Sequence, residues 1–327
     1  MVARLCGHCR ALVAQQRGVL ARWQFAGCQA DLAGVDALLR QGRWQVLYRG
    51  VYAAFTGPPA REAILWAAVR RCGTDAVLSH ATAAELDGIA DQRTSVIHVT
   101  VPERRRVVMS ARDLRDGLPR IIVHRSSRLD SARHPARLPP RTRIEETVVD
   151  LAESARSFDA AFFWLSAACS GRLVTPNQIR ETVRRRRKLR WRTEILEALA
   201  EIGDGVLSNL ERLYLRNVQR PHGLPQPKRQ ALMRRDSASA YLDNFYAEFG
   251  VAVELDGRAA HSIETRWQDI HRDNYFAGSG IITLRYSWAD VTERPCQVAA
   301  QIAAVLRSRG WTGTMRRCGA SCQATPS

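Results

Sequence analysis

The sequence predicts a multi-domain α/β (α+β) chain, with short helices and a β-hairpin at the N-terminus, a helical middle region and a C-terminal mixed sheet flanked by helices. Three observations carry this expectation. The length of 327 residues corresponds to more than one domain at ~100 to 200 residues each. Hydrophobic residues make up 46% and charged residues 25%, which excludes collagen-like, low-complexity and wholly disordered classes. Apolar spacing switches repeatedly between the helical and the strand period. Composition and punctuation divide the chain at 1–56, 57–155, a helical and basic 156–202, 203–310, and a disordered tail at 311–327.

In the first segment, ALVAQQRGVLARWQFAGC supplies two short helical pieces and DLAGVDALLRQGRW a third, while WQVLYRGVYAAF alternates apolar and polar residues around Arg49-Gly50. This is the order of a winged helix-turn-helix, whose third helix enters the major groove and whose hairpin lies against phosphate. Here the third helix carries Asp31 and Asp36, with only Arg40 near its end. Carboxylates facing a polyanion cost affinity, so the expected phosphate contacts fall on Arg43 and Arg49 of the wing. The segment, with its ending RQGRWQVLYRGVYAAF, resembles the N-terminal winged-helix domain of AbiEi-type antitoxins. That resemblance implies a DNA partner, a cognate toxin and a place in toxin–antitoxin or phage-defence systems.

Residues 57–155 continue as helix, helix and strand in REAILWAAVRRCG, SHATAAELDGI (Ser79 the expected N-cap) and VIHVTV, with RIIVHRSS as a partner strand. His80 and His98 read as structural polar positions, because no second ligand stands at metal spacing in the sequence near either. TRIEETVVDLAES and FDAAFFWLSAACSG read as packed helices.

The formal net charge is +17, and of 49 basic residues only Lys188 and Lys228 are lysines. Guanidinium groups bind phosphate bidentately and stay charged at any relevant pH, so a phosphate-rich partner is expected. Arg184, Arg185, Arg186, Arg187, Lys188, Arg190 and Arg192 place seven cations in nine residues, ahead of the amphipathic stretch TEILEALAEI. Such a run either tracks a nucleic-acid backbone, with Arg184 to Lys188 and Arg190 as contacts, or is a solvated basic linker.

The segment YLDNFYAEFGVAVELDGRAAH holds two strand-like runs, 241–246 and 251–256, about a turn at Phe249-Gly250. The two-residue period puts Val251, Val253 and Leu255 on one face, and Ala252, Glu254 and Asp256 on the other. Carboxylates side by side on a strand repel one another unless a cation or a proton lies between them, and Asp243 on the preceding run can complete the cluster. Hard oxygen ligands of this kind suit Mg2+ or Mn2+.

Asp243 followed by Glu254-Leu255-Asp256 on the next strand resembles the PD-(D/E)XK nuclease arrangement. The order of a helix with Glu211, Asp243, VELDGRAAH at 253–261, a helix and IITLRYSWADV is similar to the very-short-patch-repair-type endonuclease-like domain, over roughly residues 203–310. The resemblance implies a restriction-endonuclease-like sheet in which Asp243 is the principal metal ligand and Glu254 a second. It further implies that His261 activates water or supports the leaving group, with Glu211 at the edge of the site. Asp256 stands where that arrangement has a lysine, and Lys228 lies far upstream. The expected activity is magnesium-dependent cleavage or nicking of DNA by Glu211, Asp243, Glu254, Asp256 and His261. The alternatives are a transcriptional regulator of antitoxin type with an inactive nuclease fold, and a purely structural partner-binding domain.

Several of these residues have plainer assignments. Ser208 and Glu211 form S-x-x-E, a capping-box pattern, and Asp256-Gly257 is a turn dipeptide. Asp269, Arg272 and Asp273 fit exposed helical ion pairs, Arg285 a phosphate contact or a brace for the carboxylates, and Trp267, Tyr275 and Phe276 core. Eight scattered cysteines read as reduced thiols, and neither Cys6-Gly-His-Cys9 nor Cys318-x-x-x-Cys322 has a second pair at zinc spacing. No apolar run reaches the ~18 residues of a membrane span, so a soluble cytoplasmic protein with no membrane partner is expected.

Overall fold

The computed structural model describes residues 5–26, 32–89, 93–109, 117–234, 239–256, 271, 274–320 and 322–324. The chain is mixed α/β, with three sheets among the described residues, and forms two units, Met1–Arg192 and Thr193–Ser327.

In the first unit, α1 (Gly7–Gln15) is capped by Cys6, whose sulfur accepts the Cys9 N–H. The expected second helix is replaced by strand β1 (Val19–Ala21) and a single 3-10 turn, Arg22–Phe25. A helix so short is marginal by itself. As a strand, the segment buries all three residues and pairs with β3, and the Gln24 side chain turns back to accept the Ala21 N–H at 2.9 Å. Helix α2 (Leu32–Arg40) and the hairpin β2 (Gln45–Tyr48) and β3 (Val51–Ala53) follow, closing an antiparallel sheet in the order β1-β3-β2. Gly50 supplies the positive φ of 71° in the two-residue turn. One face of this sheet packs on Phe25, Val35 and Leu38, and the other on Leu65 and Trp66 of α3 (Arg61–Cys72).

A second sheet, β4 (Val77–Leu78), β5 (Val96–Pro102) and β6 (Arg120–Ser126), pairs β4 with β5 antiparallel and β5 with β6 parallel. Helix α4 (His80–Asp87) starts after Ser79, whose hydroxyl accepts from Thr100 at 2.8 Å instead of capping the helix. The remaining helices are α5 (Leu129–Ala132), α6 (Ile144–Ser154), α7 (Phe158–Ser170) and α8 (Pro176–Arg185). A capping box between Thr175 and Gln178 starts α8.

The second unit opens with α9 (Arg192–Gly203) and α10 (Asn209–Leu213), which runs through a π-helical turn, Tyr214–Gln219, into α11 (Arg220–His222). Strands β7 (Lys228–Arg234), β8 (Ser239–Tyr246), β9 (Val251–Asp256) and β10 (Ile282–Ser287) form a sheet in the order β10-β9-β8-β7. Only the β9–β10 pair is parallel. Val251 and Val253 pack with Leu210, Tyr214, Ile302 and Leu306, whereas Ala252 packs with Leu242, Phe276 and Ile281. The alternation expected along β9 is thus realised, with both faces covered. Phe276 is core as expected, but Tyr275 is 37% exposed.

After α12 (Trp288–Glu293) and α13 (Pro295–Ser308), the chain from 311 departs from the expected disorder. Met315, Cys322 and Ala324 are buried in the same core as α13, and the Arg316 N–H donates to the His222 carbonyl at 2.8 Å. Apolar side chains and backbone hydrogen bonds therefore fix a segment that shows no helix or strand among its described residues. No helix among the described residues is long and apolar enough to cross a membrane.

Candidate functional site

Antiparallel register brings the predicted carboxylates of β8 and β9 together. Asn244 pairs with Val253, so Asp243 falls opposite Glu254. Their hydrogen bonds cross: Glu254 Oε1 accepts the Asp243 N–H at 3.3 Å, and Asp243 Oδ2 accepts the Leu255 N–H at 3.0 Å. On β7, Arg229 pairs with Asn244 and Ala231 with Leu242, which places Gln230 opposite Asp243. Gln230 has a positive φ of 47°, a conformation rarely adopted by a residue with a side chain. Its amide nitrogen lies 3.2 Å from Asp243 Oδ1 and 3.5 Å from Glu211 Oε1. Glu254 is buried and Asp243 half-buried.

Glu211 has its expected capping role. At the start of α10 its N–H donates to Ser208 Oγ, and its carboxylate accepts from the Leu207 N–H at 2.9 Å and the Ser208 hydroxyl at 3.1 Å. It is also buried and faces Asp243. Burial pushes its carboxyl up to about 7, the charge of Asp243 adding to the effect. Asp256 has its carboxylate 3.3 Å from Arg285 Nη1, so Arg285 acts as a brace. Lys228 is exposed at the start of β7, and His261, Trp267, Asp269, Arg272 and Asp273 lie outside the described residues. The donors are hard oxygens, as Mg2+ or Mn2+ would require. Glu211, Asp243 and Glu254 nevertheless do not form a trio with all ligand atoms within 4.8 Å of one another.

The predicted basic contacts divide sharply. Arg43, Arg49, Arg184, Arg185, Arg187, Lys188 and Arg190 are exposed, Arg190 lying over the Trp191 ring at 3.8 Å from its centroid. Arg186 is not available to phosphate. It is 2% exposed and lies 2.7 Å from Glu146 and Asp150 and 3.2 Å from Glu153. The signal for this is helical phase: Ile179, Thr182, Val183 and Arg186 repeat at three- and four-residue spacing, and all four are buried.

Two histidine constellations escaped the sequence. His80, His98 and His124 meet because β5 and β6 pair in parallel and α4 begins beside them. His98 Nδ1 lies 2.9 Å from His124 Nε2, and the His80 and His124 rings stack with centroids 3.8 Å apart at 16°. Burial is the first cause lowering all three pKa values, that of His124 to about 4, so neutral imidazoles share hydrogen bonds at neutral pH. One ring nitrogen from each of the three lies within 4.8 Å of the others, a spacing that a metal ion could use. The sequence shows no further ligand near His80 or His98, but the fold adds His124 to both. The second constellation joins His222 with Cys296, Cys318 and Cys322. Of the N-terminal pair, Cys6 is disulfide-bonded, departing from the expected reduced state, and Cys9 is a buried thiol.

No protein-family model matches the chain, and no curated protein matches it.

Proposed function

We propose that the protein is DNA-associated and that its second unit is a Mg2+- or Mn2+-dependent endonuclease-type domain that cuts or nicks DNA. The observation that carries this is the pairing of Asp243 with Glu254 across β8 and β9, beside a buried Glu211 whose carboxyl titrates at about 7. Asp243 and Glu254 would hold the ion, which supplies charge neutralisation on phosphate and lowers the pKa of water. Glu211, poised near the operating pH, would accept the proton released from that water. In the first unit, the order α1, β1, 3-10 turn, α2, β2, β3 supports a winged-helix-type module that sets Arg43 and Arg49 against phosphate.

The test is incubation of the full chain with supercoiled plasmid and Mg2+ or Mn2+, alongside Asp243→Ala and Glu254→Gln. Conversion to nicked or linear forms by the wild type alone is expected. Equal survival of the plasmid with all three proteins under both metals overturns the proposal.

A specific observation favours a second role. Asp256 occupies the place of the catalytic lysine and is held by Arg285, which favours a regulator of antitoxin type, with a cognate toxin as partner and a nuclease fold without the chemistry. Retained, salt-sensitive DNA binding in the absence of any cleavage is the result that role requires.

A further inference from the structure

The second unit contains a set of side chains that the carboxylate chemistry does not use. His222 ends α11, Cys296 is the second residue of α13, and Cys318 and Cys322 lie on the terminal coil. Their four ligand atoms all lie within 4.8 Å of one another. Cys296 Sγ is 3.6 Å from Cys318 Sγ and 3.8 Å from Cys322 Sγ, and Cys322 Sγ is 3.7 Å from His222 Nε2. A disulfide would bring two sulfurs to about 2.05 Å. A tetrahedral zinc ion with Zn–S of about 2.3 Å and Zn–N of about 2.0 Å instead spaces sulfurs about 3.8 Å apart and sulfur from nitrogen about 3.5 Å. The observed separations match the edges of that tetrahedron.

His222 is prepared as a ligand. It is fully buried, and its Nδ1–H donates to the Val218 carbonyl at 2.9 Å, which leaves the Nε2 lone pair directed at the thiols. The π-helical turn Tyr214–Gln219 immediately precedes it, a distortion frequent at functional sites. The terminal coil supplies the complementary observation. Its described residues form no helix or strand, yet Met315, Cys322 and Ala324 are buried against α13.

We infer that His222, Cys296, Cys318 and Cys322 bind one structural zinc ion that fastens the C-terminal segment to α11 and α13. Three thiolates and an imidazole select zinc over Mg2+ or Mn2+, so this site is chemically distinct from the carboxylates of β8 and β9. Four protein ligands close the tetrahedron and leave no position for water or substrate, which assigns the ion to folding and not to catalysis. The inference is independent of the proposed nuclease activity.

The test begins with elemental analysis of full-length protein purified without chelators. About one zinc per chain is expected, as for other closed four-ligand sites. Reduced, metal-stripped protein titrated with Co2+ should develop the visible bands of tetrahedral cobalt and the near-ultraviolet absorption of thiolate-to-cobalt charge transfer. Cys318→Ser with Cys322→Ser should lose both the zinc and the cobalt spectrum, while Cys169→Ser, outside the cluster, keeps them. Because α13 and the sheet do not depend on the tail for their own hydrogen bonds, retained far-ultraviolet circular dichroism in the double variant separates loss of metal from loss of fold. Wild-type protein that contains no zinc and gives no tetrahedral cobalt spectrum overturns the inference. So does a double variant that retains full stoichiometry.

Discussion

At Arg186 in the first unit, a buried guanidinium lies within 3.2 Å of Glu146, Asp150 and Glu153. At Glu211 in the second unit, a buried carboxylate accepts from the Leu207 N–H, the Ser208 hydroxyl and the Gln230 amide, all of them neutral. The first arrangement compensates charge with charge. The second leaves much of the desolvation cost in place, and Glu211 therefore titrates at about 7. Glu201 shows that the second unit can also complete a buried ion pair, since Arg212, Arg216 and Arg220 all reach it within 3.4 Å. The incomplete compensation at Glu211 is local to the carboxylate cluster, where a cation or a proton has a use.

Removing Arg186 is the most severe way to probe this contrast. Arg186→Ala strands Glu146 and Asp150 in a buried setting, and loss of one partner from a buried ion pair costs about 3 to 5 kcal/mol. Chemical denaturation should show a loss of that size. Replacement of Arg184, two residues earlier and exposed, is the control. Equal, small losses at the two positions would mean that Arg186 is solvated like its neighbours.

The pH dependence of Glu211 gives the next largest effect. An ordinary glutamate titrates near ~4.3, so burial raises Glu211 by roughly 2 to 3 pH units, worth about 3 to 4 kcal/mol at ~1.4 kcal/mol per unit. A carboxyl whose folded-state pKa is raised favours folding in its protonated form. Its contribution is therefore complete below about pH 4 and is lost as pH rises toward 7 and above. Glu211→Gln should flatten the stability profile between pH 4 and pH 8, measured as the denaturation midpoint against pH. If a divalent ion binds beside Glu211, added Mg2+ should restore stability to the wild type at pH 8 but not at pH 5, where the proton competes. A profile with the same slope in wild type and variant would break the comparison with Arg186.

How far these sites could be read in advance depends on how local their causes are. The strands β8 and β9 follow a two-residue period, and one tight turn fixes their register, so the meeting of Asp243 and Glu254 is legible in residues 241–256. Glu211 was legible as a cap through S-x-x-E, but its approach to Asp243 depends on the Gln230 conformation at φ 47° on an intervening strand. Arg186 was hidden among identical neighbours, although helical phase distinguishes it. In the sequence the strand β1 looks helical because three residues carry no period, and its state is decided by β3, some thirty residues later. The zinc ligands and the histidine stack are furthest from legible. Cys318-x-x-x-Cys322 is a local pair, but His222 and Cys296 reach it, and His80, His98 and His124 reach one another, only through tertiary structure.

The smallest effect on stability separates the buried and exposed arginines most finely. Arg184 pairs with Glu181 at 2.6 Å across one helical turn, with both side chains about 60% exposed. Such a pair contributes less than ~0.5 kcal/mol, so Arg184→Ala should leave the denaturation midpoint nearly unchanged. DNA affinity is a different quantity, because each phosphate contact releases condensed counterions. If the exposed run tracks a DNA backbone, Arg184→Ala, Arg187→Ala and Lys188→Ala combined should reduce the slope of log affinity against log salt by about 3, near 0.9 per contact. An unchanged slope would assign the run to a solvated face and leave DNA contact to Arg43 and Arg49. Stability without affinity at Arg186, and affinity without stability at Arg184 and its exposed neighbours, is the pattern that burial predicts for one continuous stretch of cations.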